Sequence, residues 1–130
     1  MSDHEVNAVR RIYGAFATWN VDEMARDISH DFELTLPETV PFGGTRHGTD
    51  GIRTFARIFR DHLEAGFAEP DDFLDAGERV VVCGRFRGRS RQTGAEFEVP
   101  FAHVWTFSDG VPSRLHSYFD AAPVVTALGH

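Results

Sequence analysis

Residues 96–120, EFEVPFAHVWTFSDGVPSRLHSYFD, decide the fold because they predict a β-hairpin with one apolar face. On both sides of Asp109-Gly110, bulky apolar residues alternate with small or polar ones, which is typical of half-buried strands. Asp-Gly favours a tight turn because both central positions of such a turn need positive φ. We therefore predict strands over about 96–107 and 112–120.

Two further strands precede this hairpin. Residues 79–91 form its neighbour, connected through Thr93-Gly94, which is a weaker turn signal than Asp-Gly. A run over about 66–75 contains Pro70, and proline favours an edge strand or a bulge because it has no backbone N–H to donate.

A two-residue turn at Thr93-Gly94 gives the first hairpin a definite register. The register pairs opposite charges and opposing rings: Arg91 with Glu96, Arg89 with Glu98, and Phe86 with Phe101. It also places Gly84 opposite His103, so that space opens beside the imidazole. On the other side of the sheet, the register predicts a solvated row of arginines: Arg85, Arg87, Arg89 and Arg91.

The same turn length at Asp109-Gly110 adds polar side chains to the face of His103: Arg114, His116, Tyr118 and Asp120. A turn longer by one residue would point this second set outward, and both alternatives stay open. In an unbroken ladder Asp120 lies about 13 Å from the level of His103, at ~3.3 Å per residue, so curvature or a bulge has to bring both to one ligand.

The first half of the chain predicts helices. A first helix has an apolar stripe at helical spacing: Val6, Val9, Tyr13 and Phe16. Asn20 followed by Glu23 is typical of a helix start, and predicts a short second helix through about Ile28. A strand at 32–36 and a loop at 37–48 lead to a third helix, which starts near Thr49 or Asp50. Its buried stripe is Ile52, Phe55, Phe59 and Leu63. The segment 121–128 forms a short helix or an arm.

Composition narrows the function classes. The chain has 130 residues, one cysteine and a net charge of −7, which predicts a single domain over 1–130 without disulfides and argues against a nucleic-acid partner. The start Met1-Ser2-Asp3-His4-Glu5 lacks the features of a signal peptide, and no apolar run approaches the ~20 residues of a membrane helix. We therefore expect a cytoplasmic protein with no membrane partner. Histidine and cysteine spacing predicts no metal site, and no glycine-rich phosphate loop indicates a nucleotide, so no cofactor is expected.

Several segments, in this order, resemble the SnoaL-like and ketosteroid-isomerase-like proteins: the first helix with Tyr13, GTDGI at 48–52, FAHVWTFSDG at 101–110, and the ending 118–120 with 127–129. The resemblance implies the cone-shaped α+β fold of the nuclear-transport-factor-two-like superfamily. In that fold three helices from the N-terminal half pack on a strongly curved, mainly antiparallel sheet that encloses an apolar pocket, commonly in a dimer.

The resemblance also implies catalytic roles. Tyr13 matches the helix-one tyrosine that donates a hydrogen bond to a developing enolate oxygen in the isomerases. His103 falls where those enzymes keep a protonated aspartate as the second donor. Asp120 matches the acid/base aspartate of the SnoaL-type polyketide cyclases.

One residue of the isomerase pattern is missing. The base aspartate of those enzymes falls near Leu36 here, so we do not expect a true steroid isomerase. Glu33 or Glu38 could replace that aspartate only from a different place.

These features predict a pocket for a small or medium apolar carbonyl-type ligand. We expect cofactor-free proton abstraction next to the carbonyl (isomerisation, aldol cyclisation or dehydration), with Asp120 as the base and His103 and Tyr13 as donors. The expected ligand-binding residues are Phe101, Trp105, Phe86, Gly84, His116, Tyr118, Phe16 and Phe55. The alternatives are a module that binds a small ligand without transforming it, and a dimerisation module.

The outer face of the predicted sheet indicates a homodimer. In the register above, that face carries residues less polar than a solvated face requires: Ala102, Val104, Leu115, Ser117 and Phe119. An exposed apolar sheet face favours burial against a second copy of the chain.

Overall fold

A computed structural model describes residues 2–129, with the backbone alone at residues 2 and 3. The ends of the predicted domain, Met1 and His130, lie outside the description. The elements follow in the order α1 (Ser2–Ala17), α2 (Val21–Arg26), β1 (Glu33–Leu36), β2 (Gly44–His47), α3 (Gly48–His62), β3 (Leu63–Asp75), β4 (Arg79–Ser90), β5 (Glu96–Ser108), β6 (Val111–Phe119) and α4 (Ala121–Ala127).

The strands form one curved, open sheet in the order β2-β1-β6-β5-β4-β3. All neighbouring strands are antiparallel except β1 and β6, which run parallel. Helices α1 and α3 contact the sheet, α2 packs between them, and α4 packs on β5. The predicted α+β architecture, with three helices from the first half of the chain on a curved and mainly antiparallel sheet, is confirmed.

The loop predicted at 37–48 is only partly correct, because its last part forms strand β2. Gly44–His47 pairs with β1, and the hydroxyls of Thr35 and Thr45 share a hydrogen bond of 2.9 Å across the pair. A strand of four residues beside two glycines is too short for alternation to stand out in the sequence.

Pro70 lies on the edge strand β3 and next to a bulge, as predicted. The register between β3 and β4 shifts between Pro70 and Asp72, so that Asp71 has no partner on β4.

The register predicted for the β4–β5 hairpin is wrong by two residues. Arg89 pairs with Glu96, and Gly84 lies opposite Phe101 instead of His103. The turn contains four residues, from Arg91 to Gly94, because the backbone N–H of Ser90 bonds the carbonyl of Ala95 at 2.9 Å. A shift by two keeps every side chain on its predicted face, since the period of a strand is two residues. Arg91 leaves the predicted row and donates to the carbonyl of Arg60 at 2.6 Å.

The rest of the arginine row lies on the outer face among carboxylates. Arg85, Arg87 and Arg89 form ion pairs with a set of acidic side chains: Glu64, Glu69, Asp71, Glu96 and Glu98. These side chains are mostly exposed, so the pairs contribute little to stability. The positive charges of this row are therefore neutralised by neighbouring carboxylates, as the opposite-charge pairing in the sequence indicates.

The Asp109-Gly110 turn of the β5–β6 hairpin has the predicted two residues. Ser108 pairs with Val111, and both turn residues have positive φ. However, the register shifts by one residue between Thr106 and Phe107, and Ser113 is the extra residue on β6. Its hydroxyl donates to the carbonyl of Thr106 at 3.2 Å. A one-residue shift exchanges the two faces of every later position on β6.

Among residues 2–129, no helix is long and apolar enough to cross a membrane.

Candidate functional site

A cavity of about 80 Å³ lies between the sheet and the helices. Its lining combines residues from α1, α2, α3, five strands and the connection between α2 and β1: Ile12, Tyr13, Phe16, Met24, Ile28, Phe32, Leu34, Leu36, Ile52, Phe55, Phe59, Ala68, Phe86, Phe101, His103, Trp105, Leu115, Ser117 and Phe119. None of these residues is an aspartate, a glutamate, an arginine or a lysine. The cavity is therefore apolar, with a few polar atoms at defined places.

Tyr13, His103 and Trp105 form a buried hydrogen-bonded chain at the cavity. Helical spacing from Val9 through Ile12 turns Tyr13 toward the sheet, and alternation along β5 turns His103 and Trp105 toward the helices. The indole Nε1–H of Trp105 donates to the Tyr13 hydroxyl at 3.2 Å, and that hydroxyl is hydrogen-bonded to Nδ1 of His103.

Burial sets the charge state of this chain. Desolvation lowers the pKa of His103 to about 3, so the imidazole is neutral at pH 7. Burial also raises the pKa of Tyr13 well above its ordinary value, and Cys83 raises it further, against the opposing effect of the hydrogen bond from Trp105. The phenol therefore stays protonated, and the cavity has no net charge.

Ser117 is a fourth polar residue at the cavity. It lies on β6 directly opposite His103 and is 4% exposed. Alternation in a regular hairpin assigned Ser117 to the outer face, and the bulge at Ser113 brings it inside together with Leu115 and Phe119. The sequence signal for this change is Pro112, since prolines within strands concentrate at bulges and strand starts.

A shallow groove adjoins the cavity between β1 and β6. It shares Leu36, Ser117 and Phe119 with the cavity, and its other lining residues are Thr35, Pro37, Glu38, His116 and Tyr118. Glu38 thus lines the groove and not the cavity.

Residues 9–113 match the family of SnoaL-like domains. This chain belongs to the SnoaL-like domain family. No curated protein matches its sequence.

Solved structures share the fold of this SnoaL-like chain over nearly its whole length. A protein of unknown function from Burkholderia pseudomallei, described as NTF2-like, is 28% identical with a TM-score of 0.90, and 98% of each chain is covered. TerC, co-crystallised with polyporic acid, is 25% identical with a TM-score of 0.88, over 98% of this chain and 99% of TerC. A putative SnoaL-like polyketide cyclase from a Jannaschia species is 17% identical with a TM-score of 0.81, over 98% of this chain and 92% of that one.

Most of the predicted site residues of this SnoaL-like domain line the cavity. They are Tyr13, Phe16, Phe55, Phe86, Phe101, His103 and Trp105. Sequence reasoning missed the contributions of α2, of β1 and of the segment between them, among them Met24, Leu34 and Ile28, since none of these has a recognisable site motif.

Gly84 does not line the cavity, because the hairpin register differs by two residues from the prediction. A Cβ at this position would lie 2.1 Å from the carbonyl oxygen of Glu69 and 2.9 Å from the ring of Phe101. Gly84 therefore gives space to the Phe101 ring and not to the imidazole of His103.

His116 and Tyr118 lie on the outer face, because of the bulge at Ser113. Their rings stack with centroids 4.1 Å apart, and Tyr118 is 50% exposed. Arg114 also points outward, and its Nε lies 3.2 Å from a carboxylate oxygen of Glu33. The set therefore lies outside, as a longer turn would place it, but the turn keeps its two predicted residues and the bulge within β6 causes the change.

Asp120 is exposed and does not line the cavity. Its carboxylate accepts a hydrogen bond of 3.1 Å from the backbone N–H of Ala122 and caps the N-terminus of α4. The predicted role of Asp120 as a base at the ligand has no support in this geometry.

Among residues 2–129, no group of three or more histidine, cysteine, aspartate or glutamate side chains could hold a metal ion.

Proposed function

We propose that this SnoaL-like domain binds a small, uncharged and mainly apolar compound in the cavity between the sheet and the helices. The observation that carries the proposal is the lining, which contains no charged side chain and has a neutral histidine. An ion transferred into such a cavity would lose its hydration without gaining a partner, whereas an apolar group gains free energy on burial.

The size of the cavity limits the ligand. A volume of about 80 Å³ is far below the roughly 300–1,000 Å³ of sites for drug-sized ligands. The cavity therefore takes a small compound, or one apolar ring of a larger compound whose remainder lies in the groove beside Ser117 and Phe119. The co-crystal of TerC with polyporic acid supports a ligand-binding function, since TerC shares this fold over almost its full length.

The test is a calorimetric titration with two small ring compounds, cyclohexanone and the anion cyclohexanecarboxylate. We expect cyclohexanone to bind and the anion not to bind. Ala68→Leu fills part of the cavity and should weaken cyclohexanone binding on the order of tenfold or more, because overpacking costs about 1–3 kcal/mol. Ala65→Leu makes the same change at an exposed position of β3 and serves as the control. Equal binding of the anion, or no effect of Ala68→Leu, would contradict the proposal.

Proton abstraction next to a carbonyl is a second candidate function. It needs a base at the ligand, and Glu38 is one of the residues that line the groove adjoining the cavity. A ligand that extends into this groove would bring an acidic carbon toward the carboxylate of Glu38. Deuterium exchange at the α-carbon of bound cyclohexanone, lost in Glu38→Gln but not in Asp120→Asn, would distinguish this function from binding alone.

A further inference from the structure

Two side chains, Trp105 and Tyr13, fix the position of a proton on His103. An indole N–H can only donate, so the Tyr13 oxygen is the acceptor in its contact with Trp105. The phenol has one proton of its own, and the other hydrogen-bond partner of its oxygen is Nδ1 of His103. If Nδ1 also donated, the phenol proton would have no acceptor in a buried place, which costs about 1–3 kcal/mol. All three groups are satisfied when the Trp105 N–H donates to the Tyr13 oxygen and the Tyr13 O–H donates to an unprotonated Nδ1 of His103.

A neutral imidazole with an unprotonated Nδ1 has its proton on Nε2. The ring is held in place by its neighbours: the Phe101 ring lies 4.0 Å away between centroids, and the plane of the Tyr13 ring lies within 7° of the imidazole plane, with the centroids 5.8 Å apart. The orientation and the tautomer of His103 are therefore both determined by side chains that surround it.

The Nε2–H group is available to a ligand. Within residues 2–129, Nε2 has no hydrogen-bond partner. It is also not one of the atoms that are both fully enclosed and without a partner, so part of its surface is open. His103 lines the cavity and its Nδ1 side is occupied by Tyr13, which leaves the Nε2 side of the ring for the cavity. The hydroxyl of Ser117, opposite His103, also has no hydrogen-bond partner in the described part of the chain and is likewise not fully enclosed.

We infer that Trp105 and Tyr13 hold His103 as a fixed Nε2–H donor, and that this donor, together with the hydroxyl of Ser117, selects an uncharged ligand with a carbonyl-type oxygen. Such an oxygen has two lone pairs and can accept from both groups. The inference rests on the proposed ligand-binding function and adds the specificity of the site. It also changes the role of Tyr13, which becomes a positioning residue for His103 instead of a donor to the ligand.

The first arm of the test needs no ligand. Nitrogen-15 NMR of histidine-labelled protein distinguishes a protonated from an unprotonated ring nitrogen, and at pH 7 we expect His103 to be protonated at Nε2 alone. Tyr13→Phe removes the hydroxyl and should give a mixture of tautomers. Phe73→Leu changes a ring that packs edge-on against Tyr13 at 5.8 Å and should leave the tautomer unchanged. Protonation of Nδ1 in the wild-type protein would overturn the inference, whether or not the variants fold.

The second arm compares cyclohexanone with methylenecyclohexane, which has the same shape but a CH₂ group in place of the oxygen. His103→Phe should weaken cyclohexanone binding relative to methylenecyclohexane binding on the order of tenfold, since a buried acceptor then loses its donor. Ser117→Ala should change the same ratio in the same direction by a smaller factor. If both compounds bind and His103→Phe leaves the ratio unchanged, the specificity inference is wrong while the proposed function stands. If neither compound binds the wild-type protein, both are wrong.

Discussion

His103 is an ionisable group in an apolar cavity, and this makes the stability of the domain depend on pH. An unfolded histidine binds a proton below about pH 6.5, whereas burial lowers the pKa of folded His103 to about 3. Between these two values the unfolded state binds more protons than the folded state. The contribution of His103 to stability is therefore complete above about pH 6.5, and is lost progressively as the pH falls toward 3.

A substitution that does not titrate should remove this dependence. Below pH 6.5, the unfolding free energy of the wild-type protein should fall by up to about 1.4 kcal/mol per pH unit. We expect this decrease to be smaller in His103→Gln when the unfolding free energies at pH 7.5 and pH 5.5 are compared. Urea unfolding at the two pH values measures the difference, with His4→Gln on the exposed side of α1 as the control. Equal slopes in the wild-type protein and in His103→Gln would contradict the assignment.

At the scale of residues, local pattern predicted which side chains line the cavity better than it predicted what they contact. Helical spacing and strand alternation are enough to place Tyr13, His103 and Trp105 inside. The bond between Tyr13 and His103, 90 residues apart in the chain, depends on how α1 packs on β5, and no local pattern contains that information. The resemblance assigned both residues as donors to a ligand, whereas in the structure they are hydrogen-bonded to each other.

At the scale of elements, the two hairpins show that an error in register changes the face of a side chain only when it is odd, whereas an even error changes only its cross-strand partner. The β4–β5 hairpin differs from the prediction by two residues, and its apolar face is unchanged. The β5–β6 hairpin differs by one residue beyond Ser113, so Ser117 comes inside and His116 goes outside. Turn residues determine the length of a turn, but a bulge within a strand depends on sheet curvature, which the turn sequence does not reveal.

The close packing of β3, β4 and β5 gives a test of the observed register. Gly84→Ala places a methyl group against the backbone carbonyl of Glu69 and the ring of Phe101, so we expect a loss of about 1–3 kcal/mol in unfolding free energy. Gly14→Ala meets no atom within 4 Å and lies within α1, where alanine is favoured over glycine by about 0.5–1 kcal/mol. Thermal and urea unfolding should therefore move in opposite directions for the two variants, and a Gly84→Ala protein as stable as wild type would refute the register.

At the scale of the whole molecule, a homodimer through the exposed side of the sheet stays an expectation, because three of the five residues that motivated it, Leu115, Ser117 and Phe119, line the cavity instead. Because of the bulge, the outer face carries Ala102 and Val104 from β5 together with the stacked rings of His116 and Tyr118 from β6. We expect sedimentation of the full chain at micromolar concentration to give a dimer. Tyr118→Arg should shift it toward monomer, whereas Leu74→Arg, at a side chain that is also 50% exposed, should not. A wild-type monomer would contradict the expectation.

The order of elements and the fold class could be predicted from this sequence because each helix and most strands have their own periodicity. The dimensions of the cavity could not, since about 80 Å³ is what remains after many rings have packed against each other. A change of one side-chain angle among Phe16, Phe55 or Phe101 alters that remainder without altering any pattern in the sequence.

The bulge at Ser113 also has an evolutionary consequence. The loss of one codon there would restore a regular hairpin and exchange the two sides of the last strand. The cavity would then gain an imidazole and a phenol from His116 and Tyr118, and would lose Leu115, Ser117 and Phe119. A single deletion or insertion, with no change to any other residue, thus separates two different binding chemistries on one scaffold.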